Sequence, residues 1–198
     1  MWQTITHGLE LINAQFYLGS MVFFFVGYAL APWVYHKQIR VLTTYPLWIA
    51  ERLEQWMEKK WPAWLLFLFI LAVNSFSLAV DLFSGLLPAL PFVFAVWTGL
   101  NIGIISFHTL KGKFYFASLL NPVALFELPA AFLVFTMAIQ YNLTLLKAPL
   151  KPLHLSETPF AVYFNLFLLI IIPLLIIAAL IETALIQYAR KMEDGSRS

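Results

Sequence analysis

Apolar residues run along this chain in five long blocks separated by shorter polar stretches, and each block is long enough to be a membrane-spanning helix. A helix needs ~20 apolar residues to cross ~30 Å of hydrocarbon. The blocks fall at about 16–35, 62–83, 86–108, 122–141 and 160–181, so the pattern predicts an all-α bundle of about five transmembrane helices in one integral membrane domain, 1–198. Ahead of the first block, Ile5, Leu9 and Ile12 recur at helical spacing and predict a short amphipathic lead-in. Ala29-Leu30-Ala31 imitates a signal-peptide cleavage site, but no positive charge precedes the run and it outlasts the apolar core of a signal, so it is read as a span.

The polar stretch His36–Lys60 divides the first two spans. After Pro46, taken as a breaker, Ile49, Leu53, Trp56 and Met57 share one helical face, which predicts an amphipathic segment over 47–60. Two arrangements fit it: a helix lying in the headgroup zone with Trp48, Trp56 and Trp61, or a spacer helix packed on the bundle. The second span carries Asn74 and Asp81 on one face. The third carries Gly99 and Gly103, a GxxxG pair through which a neighbouring backbone can approach closely.

The apolar run from Phe114 to Tyr141 is too long for one straight span, since 28 residues of helix would reach ~42 Å. Pro122 removes a backbone donor and crowds the preceding turn, so the sequence predicts a break there. Phe114–Leu120 becomes a short interfacial or re-entrant piece, and Pro122–Tyr141 the fourth span, with Pro129 as a second helix-breaking position. Asn142–Thr158 reads as a loop, Thr158-Pro159 as a helix start, and Pro173 as a possible kink in the fifth span.

Composition agrees with the pattern. The chain is 62% hydrophobic and 11% charged, with a mean hydropathy of +0.82; soluble domains are about 25% charged. A net charge of +2 gives no reason to expect a nucleic-acid partner, and the absence of cysteine excludes disulfides and thiolate metal sites. With the N-terminus outside, ten of the Lys and Arg residues fall in cytoplasmic segments and only Lys147 and Lys151 outside. This asymmetry predicts a multi-pass protein of the cell membrane with its C-terminus in the cytoplasm.

Glu127 is the leading candidate for function, because a charge at the centre of a spanning helix is costly and usually faces a bundle interior or wet cavity. Asn74, Asn101 and His108 are expected to converge with it on an inward-facing polar patch. Asp81 is expected to reach water near the outer end of its span, and Glu182 to snorkel near the inner end of the fifth. Each also has a plainer role: Asn74 and Asn101 as interhelical hydrogen-bonding groups, His108 as a solvated side chain, and Glu127 as an acceptor for backbone donors freed by the break. No HExxH or GxSxG pattern occurs, and the four histidines show no ligand spacing, so no enzyme activity, metal or cofactor is expected.

From Asn74 to Glu182 the chain resembles the stage II sporulation protein M family. That family's marker resembles Pro-His-Gly, two apolar residues, then Glu-Leu-Pro-Ala; Pro122, Glu127, Leu128, Pro129 and Ala130 match it, while Val123 and Ala124 replace the His and Gly. Gly99 and Gly103 match a second marker, with Thr98 in place of its Asn. Ala178-Ala179-Leu180-Ile181-Glu182 is similar to the closing element, and Asn74 to an Asn opening the conserved region. The resemblance implies a polytopic membrane protein whose namesake acts in engulfment as a membrane partner of cell-wall-remodelling proteins. The expected role is thus a non-enzymatic scaffold or accessory subunit, in a homo-oligomer or with other membrane proteins and the lipid bilayer as partners. The alternative is a small permease or channel subunit passing an ion or small solute by Glu127.

Overall fold

A computed structural model describes Thr6 and residues 8–58, 61–147 and 159–196. The helices are α1 (Ala14–His36), α2 (Arg40–Glu58), α3 (Ala63–Phe83), α4 (Leu90–Thr109), α5 (Ala124–Lys147), α6 (Pro159–Leu166) and α7 (Ile172–Ser196). Short 3-10 turns cover Ser84–Leu86 and Phe116–Leu120, and a π-helical turn, Phe167–Ile171, joins α6 to α7. Five stretches are long and apolar enough to cross a membrane: α1, α3 with its following turn, α4, α5, and the α6–α7 rod. The fold is an all-α bundle.

α5 is the most enclosed of these. Ala130, Val134 and Phe135 on it are wholly buried, among Leu78 and Leu82 of α3 and Leu166, Ile171 and Leu175 of the α6–α7 rod. A second cluster, around Phe24, Tyr28, Ile104 and Phe132, joins α1 and α4 to the other side of α5. α1 also crosses to α5 by hydrogen bonding, with Ser20 Oγ donating to the Phe132 carbonyl at 3.2 Å.

The most extensive helix pair is α1 with α4, and glycine makes it possible. A Cβ on Gly27 would meet the Val96 carbonyl, and one on Gly99 the Phe24 carbonyl. The GxxxG face is therefore occupied by α1 of the same chain, not left free for a neighbouring subunit. Its counterpart on α1, Gly27 and Ala31, has the same four-residue spacing.

Several boundaries differ from the sequence reading. α2 begins at Arg40 and runs through Pro46 without stopping; near its start the Thr43 and Thr44 hydroxyls donate to the Ile39 and Arg40 carbonyls. α2 packs on α4, with Thr43, Pro46 and Ala50 buried, while Val41, Tyr45 and Trp48 on its other side are exposed. The side chains of Leu53, Trp56 and Met57 lie outside the described residues, as do Ile5, the Pro149–Pro152 loop and the Thr158 cap. α4 opens at Leu90 rather than Leu86, after Ala89 takes a left-handed conformation (φ 62°). Pro129 lies inside α5 and does not break it, and α5 continues past Tyr141 to Lys147. At Pro173, which has no N–H to donate, the rod accommodates the loss by widening into the π-helical turn just before it, where the Ile172 N–H bonds the Phe167 carbonyl.

The lead-in is held against the bundle. Gly8 packs on Leu166, and Gln140 of α5 accepts from the Asn13 N–H at 3.1 Å and donates to the Leu11 carbonyl at 2.8 Å.

Because both sides of the α1–α4 contact are backbone, Gly99→Leu is expected to destabilise the protein by about 3 kcal/mol or more. Thermal unfolding in detergent should show a lowered midpoint that does not depend on protein concentration. A concentration-dependent loss would place Gly99 at a contact between subunits instead.

Candidate functional site

The site is built around the start of α5. Asn121 is extended (φ −71°, ψ 153°) and ends the 3-10 turn before it. Its side-chain oxygen then caps the new helix, accepting from the Ala124 N–H at 2.8 Å, while Pro122, with no N–H, leaves nothing to satisfy. The break expected at Pro122 is thus present, and its freed backbone donor is met by Asn121 rather than by Glu127.

Glu127 lies in the first turn of α5, where the helix dipole favours negative charge. Its Oε1 accepts from Asn74 Nδ2 of α3 at 2.5 Å, in a part-buried contact. Glu182 of α7 is close enough to act on Glu127 electrostatically. Three helices, α3, α5 and α7, therefore bring an amide and two carboxylates to one place. Glu127 thus accepts a hydrogen bond across the helices, with a second carboxylate in electrostatic range.

The other members of the expected patch go elsewhere. Asn101 donates to the Trp97 carbonyl of its own helix at 2.9 Å, leaving its buried Oδ1 without a protein partner. His108 is half-buried and meets the Tyr35 hydroxyl through Nδ1 at 3.0 Å. Asp81 is only 5% exposed, and its Oδ2 has no hydrogen-bond partner; the outer end of its span is packed into the bundle instead of reaching water, with Leu82, Ser84 and Gly85 beside it also buried. Among the described residues no three His, Asp or Glu side chains come together as a metal site would require.

Depth follows from Asn74, which lies near the middle of α3, eleven residues after Ala63 and nine before Phe83. Glu127 is at that level although it opens its own helix, so the preceding segment must descend into the bundle. Tyr115 shows how. Its hydroxyl donates to the Tyr28 carbonyl, the Tyr28 hydroxyl donates back to the Tyr115 carbonyl at 2.8 Å, and the rings stack with centroids 4.5 Å apart. Tyr28 lies eight residues before the end of α1, ~12 Å below it at 1.5 Å per residue. The buried Tyr115 hydroxyl is the donor to the Tyr28 carbonyl. Gly103 provides the room, since a Cβ there would strike the Tyr115 hydroxyl. The segment is re-entrant rather than interfacial, and its outward side chains Phe114, Phe116 and Leu120 are apolar and exposed.

Two residues that sequence reasoning missed do comparable work at the other end of α5. Asn142, read as the first loop residue, is 1% exposed. It donates to the Leu87 and Gly85 carbonyls at 2.7 and 3.1 Å and accepts from the Ala89 N–H at 3.3 Å, closing the α3–α4 turn. Gln140 holds the lead-in in the same way. A polar residue just before a polar stretch gives no sign of burial; only the position of the turn reveals it.

The model of the family described as "Stage II sporulation protein M" matches residues 20–185. The chain belongs to the stage II sporulation protein M family. No curated protein matches it, and no solved structure does. The family match begins within α1 and ends in α7, so it takes in the re-entrant segment, Asn74, Glu127 and Glu182. This is a multi-pass membrane protein of that family.

Tyr115→Phe leaves the buried Tyr28 carbonyl without its donor and is expected to cost about 1–3 kcal/mol. Proteolysis between Lys111 and Asn121 should quicken in the variant. Unchanged stability and cleavage would mean that the segment is held by something other than the tyrosine pair.

Proposed function

We propose that this chain is a non-enzymatic scaffold or accessory subunit of a membrane complex, lying in the cell membrane with its N-terminus outside and its C-terminus in the cytoplasm. The observation that carries the reading is the Asn74–Glu127 hydrogen bond, because it gives the deep carboxylate a structural use: joining α3 to α5. A carboxylate so engaged needs no substrate to account for it. Contacts with partner membrane proteins, or with further copies of the chain, would come from faces the bundle leaves open. α3 offers one in Trp64, Leu68, Val73, Phe76 and Val80, all exposed.

A permease or channel subunit is the second reading, and one observation favours it. Glu127, with Glu182 in electrostatic range, stands just after a broken segment, and broken backbone beside polar groups is how transporters build ion sites.

Flux separates the two. Liposomes containing the wild-type protein are expected to pass protons, monovalent cations and small neutral solutes no faster than empty liposomes, and Glu127→Gln should behave identically. Flux above background that Glu127→Gln abolishes, in a variant that keeps its thermal midpoint, would overturn the scaffold reading. The orientation is tested in the same protein, which has no cysteine of its own. A cysteine appended after Ser198 is expected to react only from the cytoplasmic side; labelling from outside would reverse the topology.

A further inference from the structure

α2 buries one face and leaves another uncovered. Against the bundle it places Thr43, Pro46 and Ala50, with Leu42 and Leu47 packed on the cluster around Tyr28. On its outer side Val41 is 85% exposed, Tyr45 54% and Trp48 48%. Their spacing of four and then three residues puts them on one stripe. An open groove of about 530 Å³ follows that stripe, lined by Arg40, Val41, Thr44, Tyr45 and Trp48. Cations stand at both ends. Arg40 is exposed at the start. Arg52 lies at the far end, its guanidinium 5.7 Å from the Trp48 ring centroid and donating to Gln55 Oε1 at 3.2 Å. Glu51 is also exposed on this helix, ~100° round from Arg52.

The chain's course says what covers this face. Three residues separate α1 from α2, and four separate α2 from α3. Both flanking helices are spans that meet α2 at the same membrane face, so α2 is tethered at each end within a few residues of the headgroup layer. There Trp and Tyr rings are favoured at the boundary between acyl chain and headgroup, and arginine attracts anionic lipid. Arg40 and Arg52, ~18 Å apart along the helix, complement separate negative headgroups, and the stripe between them complements the glycerol and upper acyl region. A free phosphate would satisfy the cations and leave the aromatic stripe exposed.

We infer that the outer face of α2, from Arg40 to Arg52, binds the headgroups of anionic phospholipids, with the two guanidiniums on phosphate oxygens and Val41, Tyr45 and Trp48 against the lipid body. The inference is independent of whether the bundle is a scaffold or a permease, since it concerns neither Glu127 nor the bundle interior.

Bound lipid tests it. The full-length protein in detergent is given equal amounts of phosphatidylglycerol and phosphatidylcholine, and retained lipid is counted by native mass spectrometry. Wild type is expected to retain phosphatidylglycerol in preference. Each arginine contributes roughly a fivefold factor at such a surface, so R40Q/R52Q should lose the preference by about an order of magnitude or more, while R40K/R52K keeps most of it. Equal phosphatidylglycerol retention by wild type and R40Q/R52Q would overturn the inference. Displacement of the lipid by millimolar inorganic phosphate would also overturn it, by assigning the cations to a soluble anion. If R40Q/R52Q fails to fold, a salt titration of wild type decides: a preference that weakens with salt supports the site, and one indifferent to salt overturns it.

Discussion

In hydrocarbon a backbone or side-chain polar group has no water to bond, and this constraint shapes the bundle most strongly at α5. The helix is enclosed by α1, α3 and the α6–α7 rod, yet it carries Glu127, Thr136, Gln140 and Asn142. All of them are used. Glu127 takes the Asn74 amide, Thr136 donates to the Phe132 carbonyl, Gln140 ties the lead-in, and Asn142 closes the α3–α4 turn. Apolar packing between helices has little driving force when lipid is the competing solvent, so these polar ties and close backbone contacts fix which helices are neighbours.

Close contact does the same for α1 and α4. Gly27, Gly99 and Gly103 let the two backbones meet and leave a slot for Tyr115. That slot draws the re-entrant segment down beside α1, and its descent places Asn121 where it can cap α5 at depth. The position of Glu127 opposite Asn74 is the last step of this sequence. A change at Gly103, far along the chain from Glu127, therefore bears on the carboxylate through backbone placement alone.

The five spans were legible in the sequence because their apolar blocks match the bilayer thickness, and the break was legible because proline cannot continue a helix without loss. Glu127 and Asn74 were both recognisable as costly residues for lipid. Their pairing, and the exclusion of Asn101 and His108 from it, depended on helix rotation, which hydrophobicity on every face of a spanning helix conceals. Glu182 was placed at the membrane boundary by counting along its own helix; its neighbour across the bundle has no sequence signal. Prolines misled in the other direction. Pro46 and Pro129 are carried inside α2 and α5, since each early-turn proline costs its helix one donor and packing on the bundle outweighs that loss. The family markers pointed to the same region, although they could not say that Gly99 and Gly103 face α1 of the same chain.

The central claim is that Glu127 serves to join helices through Asn74. A double-mutant cycle measures it directly, with Asn74→Leu, Glu127→Leu and the double variant followed by reversible unfolding in mixed micelles. The account predicts that each single change destabilises the protein while the double change costs much less than their sum, a coupling of about 1–2 kcal/mol. Additivity within ~0.5 kcal/mol would contradict it, because the two side chains would then be energetically independent.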